Sequence, residues 1–311
     1  MVGARRRRLP RLRRLPAEDR SEDPDRPRRA DQLTPGSAPV VVVTGASDGI
    51  GAAAARRLHR GGAQVVVVGR SAEKTAAVAG ELPGAVALTV DLARLDDVRR
   101  LAAQLRDRFP RIDVLADNAG ASFARRALTV DGHEQTFQVD HLAPYLLTRL
   151  LEELLRAARG RVVTTASFVH WVGGVRRGRL AGAVQARGPY VALRAYARAK
   201  WCTVLFTAEL ARRWAPEVTA TCFDPGAVAT GFGRAAGGVT GLAFRSPLVA
   251  ALRTPAQGAD TLVWLATAPD GWRNGRLHAH RSPTLTLPSA RDAVRARELW
   301  ELSARLVGLP G

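Results

Sequence analysis

Val40 to Arg60 reads V-V-V-V-T-G-A-S-D-G-I-G-A-A-A-A-R-R-L-H-R. Four valines in succession predict a strand buried on both faces, the pattern of a parallel sheet. The glycine-rich turn Thr44 to Gly51 follows at once, and the alanine-rich run after it predicts a helix. Strand, tight turn and helix N-terminus together form an anion cradle. Glycine lets the backbone approach a phosphate, while free amides and the helix dipole face it. The turn therefore marks Gly45, Ser47, Asp48, Gly49, Ile50 and Gly51 as nucleotide-contact candidates, and the fold it predicts is α/β, doubly wound.

The chain on either side agrees. Gln64 to Gly69 predicts a second buried strand, ending in Gly69-Arg70-Ser71. In a doubly wound sheet this strand end meets the adenosine ribose, where an acid binds the 2′-hydroxyl and repels a 2′-phosphate. Arg70 stands there instead, with Ser71 and Lys74 close behind, which favours NADP(H) over NAD(H). Asp48 in the turn keeps NAD(H) open. A helix over Ala72 to Leu82 and a strand over Ala85 to Val90 lead to Asp91 and Leu92, placed to meet the adenine. Val98, Leu101, Ala102 and Leu105 recur at helical spacing, and a strand from Val114 to Ala116 ends in D-N-A-G, Asp117 to Gly120. Such alternation predicts parallel strands joined by right-handed crossovers.

Tyr196 to Lys200, Y-A-R-A-K, carries the chemistry. The chain holds 47 Lys plus Arg, of which only Lys74 and Lys200 are lysine. Four residues apart on a helix, Tyr196 and Lys200 share one face. A phenol is a poor proton donor or acceptor near neutrality, with an ordinary pKa of about 10, and a fixed ammonium one turn away favours its phenolate.

T-G-A-S-D-G-I-G, D-N-A-G and Y-A-R-A-K, in this order and at these separations, resemble the short-chain dehydrogenase/reductase family over about residues 40–308. F-Q-V-D-H-L-A-P-Y-L-L-T (Phe137 to Thr148) and V-L-F-T-A-E-L (Val204 to Leu210) are similar to its retinol-dehydrogenase-like group and bacterial relatives. The resemblance implies one Rossmann domain over residues 39–311, with a mostly parallel seven-stranded sheet and helices on both faces. It implies an oxidoreductase that moves hydride between a nicotinamide and a carbonyl or alcohol. Carried over residue by residue, it places the substrate-oxygen hydrogen bond on Ser167, proton transfer on Tyr196, and tuning of Tyr196 plus the nicotinamide ribose on Lys200. Asn118, Ala119 and Gly120 would line the adenine-ribose side. Pro225, Gly226 and Val228 fall in the P-G-x-V-x-T stretch, with Thr230 facing the carboxamide. A substrate lid falls at about 231–252, and its Phe232, Val239, Leu242 and Phe244 point to an apolar substrate. Two long helices, at Phe137 to Ala158 and Tyr196 to Trp214, are where such chains pair into homodimers or homotetramers.

One residue departs from the family pattern. Asp140 stands where the family has the Asn that completes the catalytic tetrad and holds a relay water. An ionised Asp140 near Lys200 would partly neutralise the ammonium and raise the Tyr196 pKa. A non-catalytic nucleotide-binding regulator of the same fold is the alternative reading that this substitution keeps open.

Composition narrows the rest. The net charge is +19, yet residues 1–39 contribute only 11 Arg against 6 acidic residues, and no aromatic platform or recognition helix accompanies the scattered remainder. Specific nucleic-acid binding is not expected. Residues 1–38 read as a disordered basic tail, either a solvated extension or an arm for polyanions or membrane surfaces. No apolar run approaches membrane-spanning length. Cys202 and Cys222 form neither a disulfide framework nor a metal spacing, and their apolar neighbours suggest core thiols in a reducing, cytoplasmic setting. The histidines show no metal-ligand grouping; His170, in the insertion between Ser167 and Tyr196, reads as a surface or hydrogen-bonded residue.

Overall fold

A computed structural model describes residues 38–185, 189–228 and 252–311. The basic tail, Thr230 and nearly all of the expected lid lie outside the described residues; Leu252 is within them.

Eight strands form one sheet: β1 (Val40–Thr44), β2 (Gln64–Gly69), β3 (Val86–Thr89), β4 (Val114–Asp117), β5 (Arg161–Thr165), β6 (Thr219–Phe223), β7 (Leu277–Ala279) and β8 (Ser282–Pro283). Their order is β3-β2-β1-β4-β5-β6-β7-β8, parallel throughout except for the β7–β8 pair. The valine run of β1 explains itself in this frame. Val40 and Val42 enter the core on one face of the sheet, Val41 and Val43 the core on the other. Burial on both faces removes any need for polar alternation.

The strand count is one more than expected. β8 is a two-residue return made through His280 and Arg281, with φ of 50° and 59°. Tight hairpins of this kind usually use Asn or Gly at such positions, so A-H-R-S carried no turn signal. Here the turn is tied down from outside itself: Arg281 donates to the Asp260 carboxylate and to Thr261 Oγ1.

Helices cover both faces. On one lie α1 (Gly49–Arg60) and α2 (Ala72–Gly80), with α9 (Pro255–Gly258) and α10 (Asp260–Thr267) near the chain's end. The other carries α3 (Leu95–Arg108), a segmented helix, α8 (Ala192–Trp214) and α11 (Ala293–Leu306). The segmented helix corrects the expectation of one long helix over 137–158. It runs as α4 (Gln135–Phe137), a wide π-type turn (Gln138–Leu142), α5 (Ala143–Leu150) and α6 (Glu152–Ala157). Pro144 has no amide hydrogen to return to the Asp140 carbonyl, so the regular ladder cannot continue there. The short α7 (Leu180–Val184) lies in the insertion before α8.

α8 begins four residues before Tyr196, and from Ala199 to Ala211 every side chain except Ala208 is buried. The chain's own α11 does part of this covering. Trp300 stacks on Phe206 at 6.0 Å and meets Tyr145 edge-on at 5.1 Å, with the guanidiniums of Arg149 and Arg213 over its ring at 5.0 and 4.7 Å. A second copy could not pack on that face of α8 without displacing α11. Among the described residues no helix is long and apolar enough to cross a membrane.

Candidate active site

The sheet order reverses between β1 and β4, and doubly wound sheets open their binding crevice at the carboxyl ends of such strands. A pocket of about 860 Å³ opens there, lined from the ends of β1, β2, β4 and β5, the loop after β6, and the start of α8.

At one end is the glycine turn. Gly45 has φ of 65°, and a Cβ on it would stand 2.8 Å from the Ala119 Cα. A Cβ on Gly51 would overlap the Gly45 carbonyl and the Asn118 side-chain amide. The β1 and β4 turns are thus pressed together, and hydrogen bonds hold them so. Asn118 Nδ2 donates to the Thr44 carbonyl at 2.9 Å, and Thr44 Oγ1 accepts from the amides of Asn118 and Ala119 at 3.0 and 3.1 Å. Asp48 caps α1, accepting from the Gly49 amide at 2.7 Å. Gly45, Ser47, Asp48, Gly49, Ile50, Gly51, Asn118, Ala119 and Gly120 all line the pocket. This close backbone cradle fits a dinucleotide pyrophosphate.

Arg70, Asp91 and Leu92 also line it, Arg70 as an exposed side chain at the end of β2. Ser71 is not among the residues that line the pocket. Its hydroxyl accepts from the Lys74 amide at 3.3 Å as the cap of α2, and its carbonyl accepts from Thr75 Oγ1 at 2.6 Å.

Ser167, Tyr196 and Lys200 meet on the pocket wall. Ser167 ends β5 and begins the 3₁₀ turn Phe168–Val172, accepting from the Val169 amide at 3.4 Å, and its hydroxyl is hydrogen-bonded to Tyr196. Lys200, one turn beyond Tyr196, has its Nζ 5.5 Å from the phenol ring centre. That ammonium is held from behind: it donates to the Thr165 carbonyl at 2.9 Å and lies 3.7 Å from Asp140 Oδ2. Gly120 makes the approach possible, since a Cβ there would stand 3.1 Å from Lys200 Nζ and 3.3 Å from Asp140 Oδ1.

The electrostatics differ from the expectation that Lys200 lowers the Tyr196 pKa. The phenol is pushed well above its ordinary range, first by burial and then by the charges of Asp140 and Asp224, with the Ser167 hydrogen bond pulling the other way. Lys200 is engaged by Thr165 and Asp140. Burial raises Asp140 to about 6 against the pull of Lys200 and of the Ala121 amide, which donates to Asp140 Oδ1 at 2.7 Å. Asp140 therefore lies behind Lys200 and not on the main pocket wall.

On the far wall, Gly226 (φ 76°) donates its amide to Asp224 Oδ1 at 2.9 Å, and Arg253 donates to the Pro225 carbonyl at 2.9 Å. Pro225, Gly226 and Val228 line the pocket. Several lining residues escaped the sequence reading, among them Phe123, Val139, Phe168 and Leu193, whereas Leu252 is the last residue of the expected lid. Their only signal was proximity to motif ends, as Phe168 follows Ser167 and Leu193 precedes Tyr196. His170 is buried, so the surface half of its reading fails and the hydrogen-bonded half stands. Its Nδ1 pairs with the Ser167 carbonyl at 2.8 Å, and its Nε2 accepts from the Leu287 amide at 3.3 Å. Among the described residues no group of three or more His, Cys, Asp or Glu could hold a metal ion.

Comparison with known proteins agrees with this geometry. A family model described as short chain dehydrogenase matches residues 39–178. A Streptomyces sp. (strain C5) protein bearing the provisional name daunorubicin C-13 ketoreductase is 43% identical over 275 residues, 86% of this chain and 92% of that one. Human retinol dehydrogenase 13 is 33% identical, with 90% of each chain covered. A crystal structure of a short chain dehydrogenase from Escherichia coli CFT073 complexed with NADPH matches with a TM-score of 0.62 at 27% identity, covering 78% of this chain and 95% of that one.

Proposed function

The chain belongs to the short chain dehydrogenase family, as an oxidoreductase of alcohols and carbonyls, and from that premise we propose that it uses NADP(H) on an apolar ketone, aldehyde or alcohol, with Tyr196 as the proton-transfer group. The observation that carries this reading is the meeting of Ser167, Tyr196 and Lys200 on the wall of a pocket whose other end is a glycine cradle rimmed by Arg70. The nicotinamide, when bound, supplies or accepts hydride. Ser167 hydrogen-bonds the substrate oxygen, Tyr196 gives it a proton in reduction or takes one in oxidation, and Phe123, Val139, Phe168 and Leu193 offer apolar contact to the substrate. Arg70 favours a 2′-phosphate by charge, and the NADPH complex of the E. coli relative supports that preference.

The ketoreductase name of the Streptomyces relative favours reduction of a ketone. The buried free thiols of Cys202 and Cys222 fit a reducing, cytoplasmic setting. Pairing into a homodimer or homotetramer through α8 is not carried forward, because α11 occupies that face; pairing through another surface stays part of the reading.

The deciding experiment is a fluorescence titration of the purified protein with NADPH and with NADH, followed by turnover of an aromatic-ketone panel. Tight NADPH binding with turnover that Tyr196→Phe abolishes supports the reading. The second reading, a non-catalytic nucleotide-binding regulator, draws on Asp140 beside Lys200 and on the raised Tyr196. It is favoured by NADPH binding without turnover of any panel member.

A further inference from the structure

Beside the main pocket, sharing Ala119, Thr165 and Lys200 with its wall, lies a second and much smaller cavity of about 10 Å³, room for a single water. Its wall includes Asp117 from the end of β4, Asp140 from the π-type turn, and Lys200 from α8. Asp117 and Asp140 are each 4% exposed and Lys200 is 3%. Each carboxylate spends one oxygen on a hydrogen bond: Asp117 Oδ2 accepts from Thr148 Oγ1 at 3.0 Å, and Asp140 Oδ1 accepts from the Ala121 amide. The other oxygens, Asp117 Oδ1 and Asp140 Oδ2, are buried without a hydrogen-bond partner.

Two buried carboxyls and one buried ammonium thus line one water-sized space. If both were ionised the unit would carry a net negative charge away from solvent, which is costly. The remaining groups do not relieve it. His141 lines the same cavity, but its Nε2 is turned to Ser303 Oγ at 2.8 Å and burial keeps it neutral. Glu134, the other acid acting on Asp140, adds to the repulsion, while its own carboxylate accepts from the Thr136 and Phe137 amides and the Tyr190 hydroxyl. Thr164 Oγ1 is bonded to Thr207 Oγ1 and the Thr221 carbonyl. Burial correspondingly raises Asp117 to about 7 and Asp140 to about 6.

We propose that Asp117 and Asp140 bind one water between them in this cavity and share one proton, so that with Lys200 they form a neutral unit, and that Asp117 is a positioning residue whose ionisation sets the charge behind Tyr196. The tuning role rests on the Tyr196 reading above; the shared proton does not. Loss of the shared proton places a second negative charge behind Lys200. That charge opposes the phenolate and makes Tyr196 a weaker acid.

The test compares wild type, Asp117→Asn and Asp140→Asn. Asn at 117 keeps an oxygen for the Thr148 hydroxyl, and NADPH titration together with thermal melting confirms that each variant is folded. Carboxyl ¹³C NMR of aspartate-labelled protein should show two coupled steps in the wild type, the upper near neutrality and far above the ordinary Asp value of about 3.9. In either variant the surviving carboxyl should titrate below that upper step. Persistence of the upper step in either variant, or ionisation of every carboxyl by about pH 5 in the wild type, overturns the shared proton. With a turned-over alcohol, Asp117→Asn should shift the rising limb of the oxidation profile about one pH unit toward acid, with the KM for NADP⁺ unchanged. An unmoved limb overturns the tuning role. A protein that shows the two coupled steps but oxidises and reduces nothing sinks the Tyr196 reading while the shared proton stands.

Discussion

Asp140 Oδ2 lies 3.7 Å from Lys200 Nζ, both groups buried, and the same ammonium is 5.5 Å from the centre of the Tyr196 ring. The carboxylate therefore offsets the charge that a phenol one helical turn away would otherwise feel. Its removal in Asp140→Asn should make Tyr196 a stronger acid. The rising limb of alcohol oxidation against pH should then move toward acid in the variant by about one unit, so that the wild type works best at higher pH. Identical pH–rate profiles for the two proteins would show that Asp140 has no part in tuning Tyr196.

Arg70 is exposed at the end of β2, at the rim of the pocket. A charge-assisted contact to a phosphate contributes about 1.5–3 kcal/mol. Arg70→Ala should therefore weaken NADPH binding about 10- to 100-fold and leave NADH nearly untouched. Equal losses for both nucleotides would assign Arg70 to the fold of the turn and not to the 2′-phosphate.

Gly51 admits no side chain, because a Cβ would meet the Gly45 carbonyl and the Asn118 amide. Gly51→Ala should abolish nucleotide binding and cost about 1–3 kcal/mol of stability through overpacking. Gly80→Ala is the control: nothing lies within 4 Å of its Cβ, at the exposed end of α2. Helix propensity alone makes that change neutral or stabilising by up to about 1 kcal/mol. If both variants bind NADPH like the wild type, the cradle assignment is wrong.

The contrast between residues that were legible in the sequence and those that were not has a physical basis. Gly45, Gly51, Tyr196 and Lys200 stood out because their chemistry depends on spacing within one turn of chain. The parallel, doubly wound sheet followed from strand–helix alternation and handedness. Asp117 could be read only as a strand end, since its cavity is assembled by residues from β5, α8 and the π-type turn. His170 was ambiguous for the same reason, its second partner being Leu287, 117 positions away. The π-type turn itself was hidden because F-Q-V-D-H-L-A-P keeps helical periodicity and only Pro144 marks the break. Ser71 caps α2 through its hydroxyl oxygen, a role that adjacency to Arg70 did not signal.

His141 supplies a stability prediction with a defined sign. Burial lowers its pKa from 6.5 to about 3, while it stacks on Phe137 at 5.1 Å and pairs with Ser303. A base depressed in the folded state contributes stability that is complete above pH 6.5 and is lost as pH falls toward 3. Between pH 6.5 and 5 that loss is about 2 kcal/mol. The raised Asp117 and Asp140 act in the opposite sense over part of the same range, so the wild-type curve alone mixes the two. The difference between wild type and His141→Gln isolates the histidine. Urea titrations should show the variant's disadvantage shrinking by about 2 kcal/mol between pH 7.5 and 5, and a constant difference would mean that His141 titrates alike in the folded and unfolded states.

Trp300 fastens α11 over the helix that carries Tyr196 and Lys200. It is 3% exposed, stacked on Phe206, edge-on to Tyr145 and flanked by Arg149 and Arg213. Truncation removes a large buried ring and two cation–π contacts at once, so Trp300→Ala should cost about 3–5 kcal/mol. Trp300→Phe keeps the stack and should recover more than half of that. Because Trp300 does not line the pocket, NADPH affinity measured well below the melting temperature should change little in the Phe variant. A loss under about 1 kcal/mol for Trp300→Ala would mean that α11 can leave α8 at little cost. That result would return the buried face of α8 to the candidates for pairing two copies of the chain.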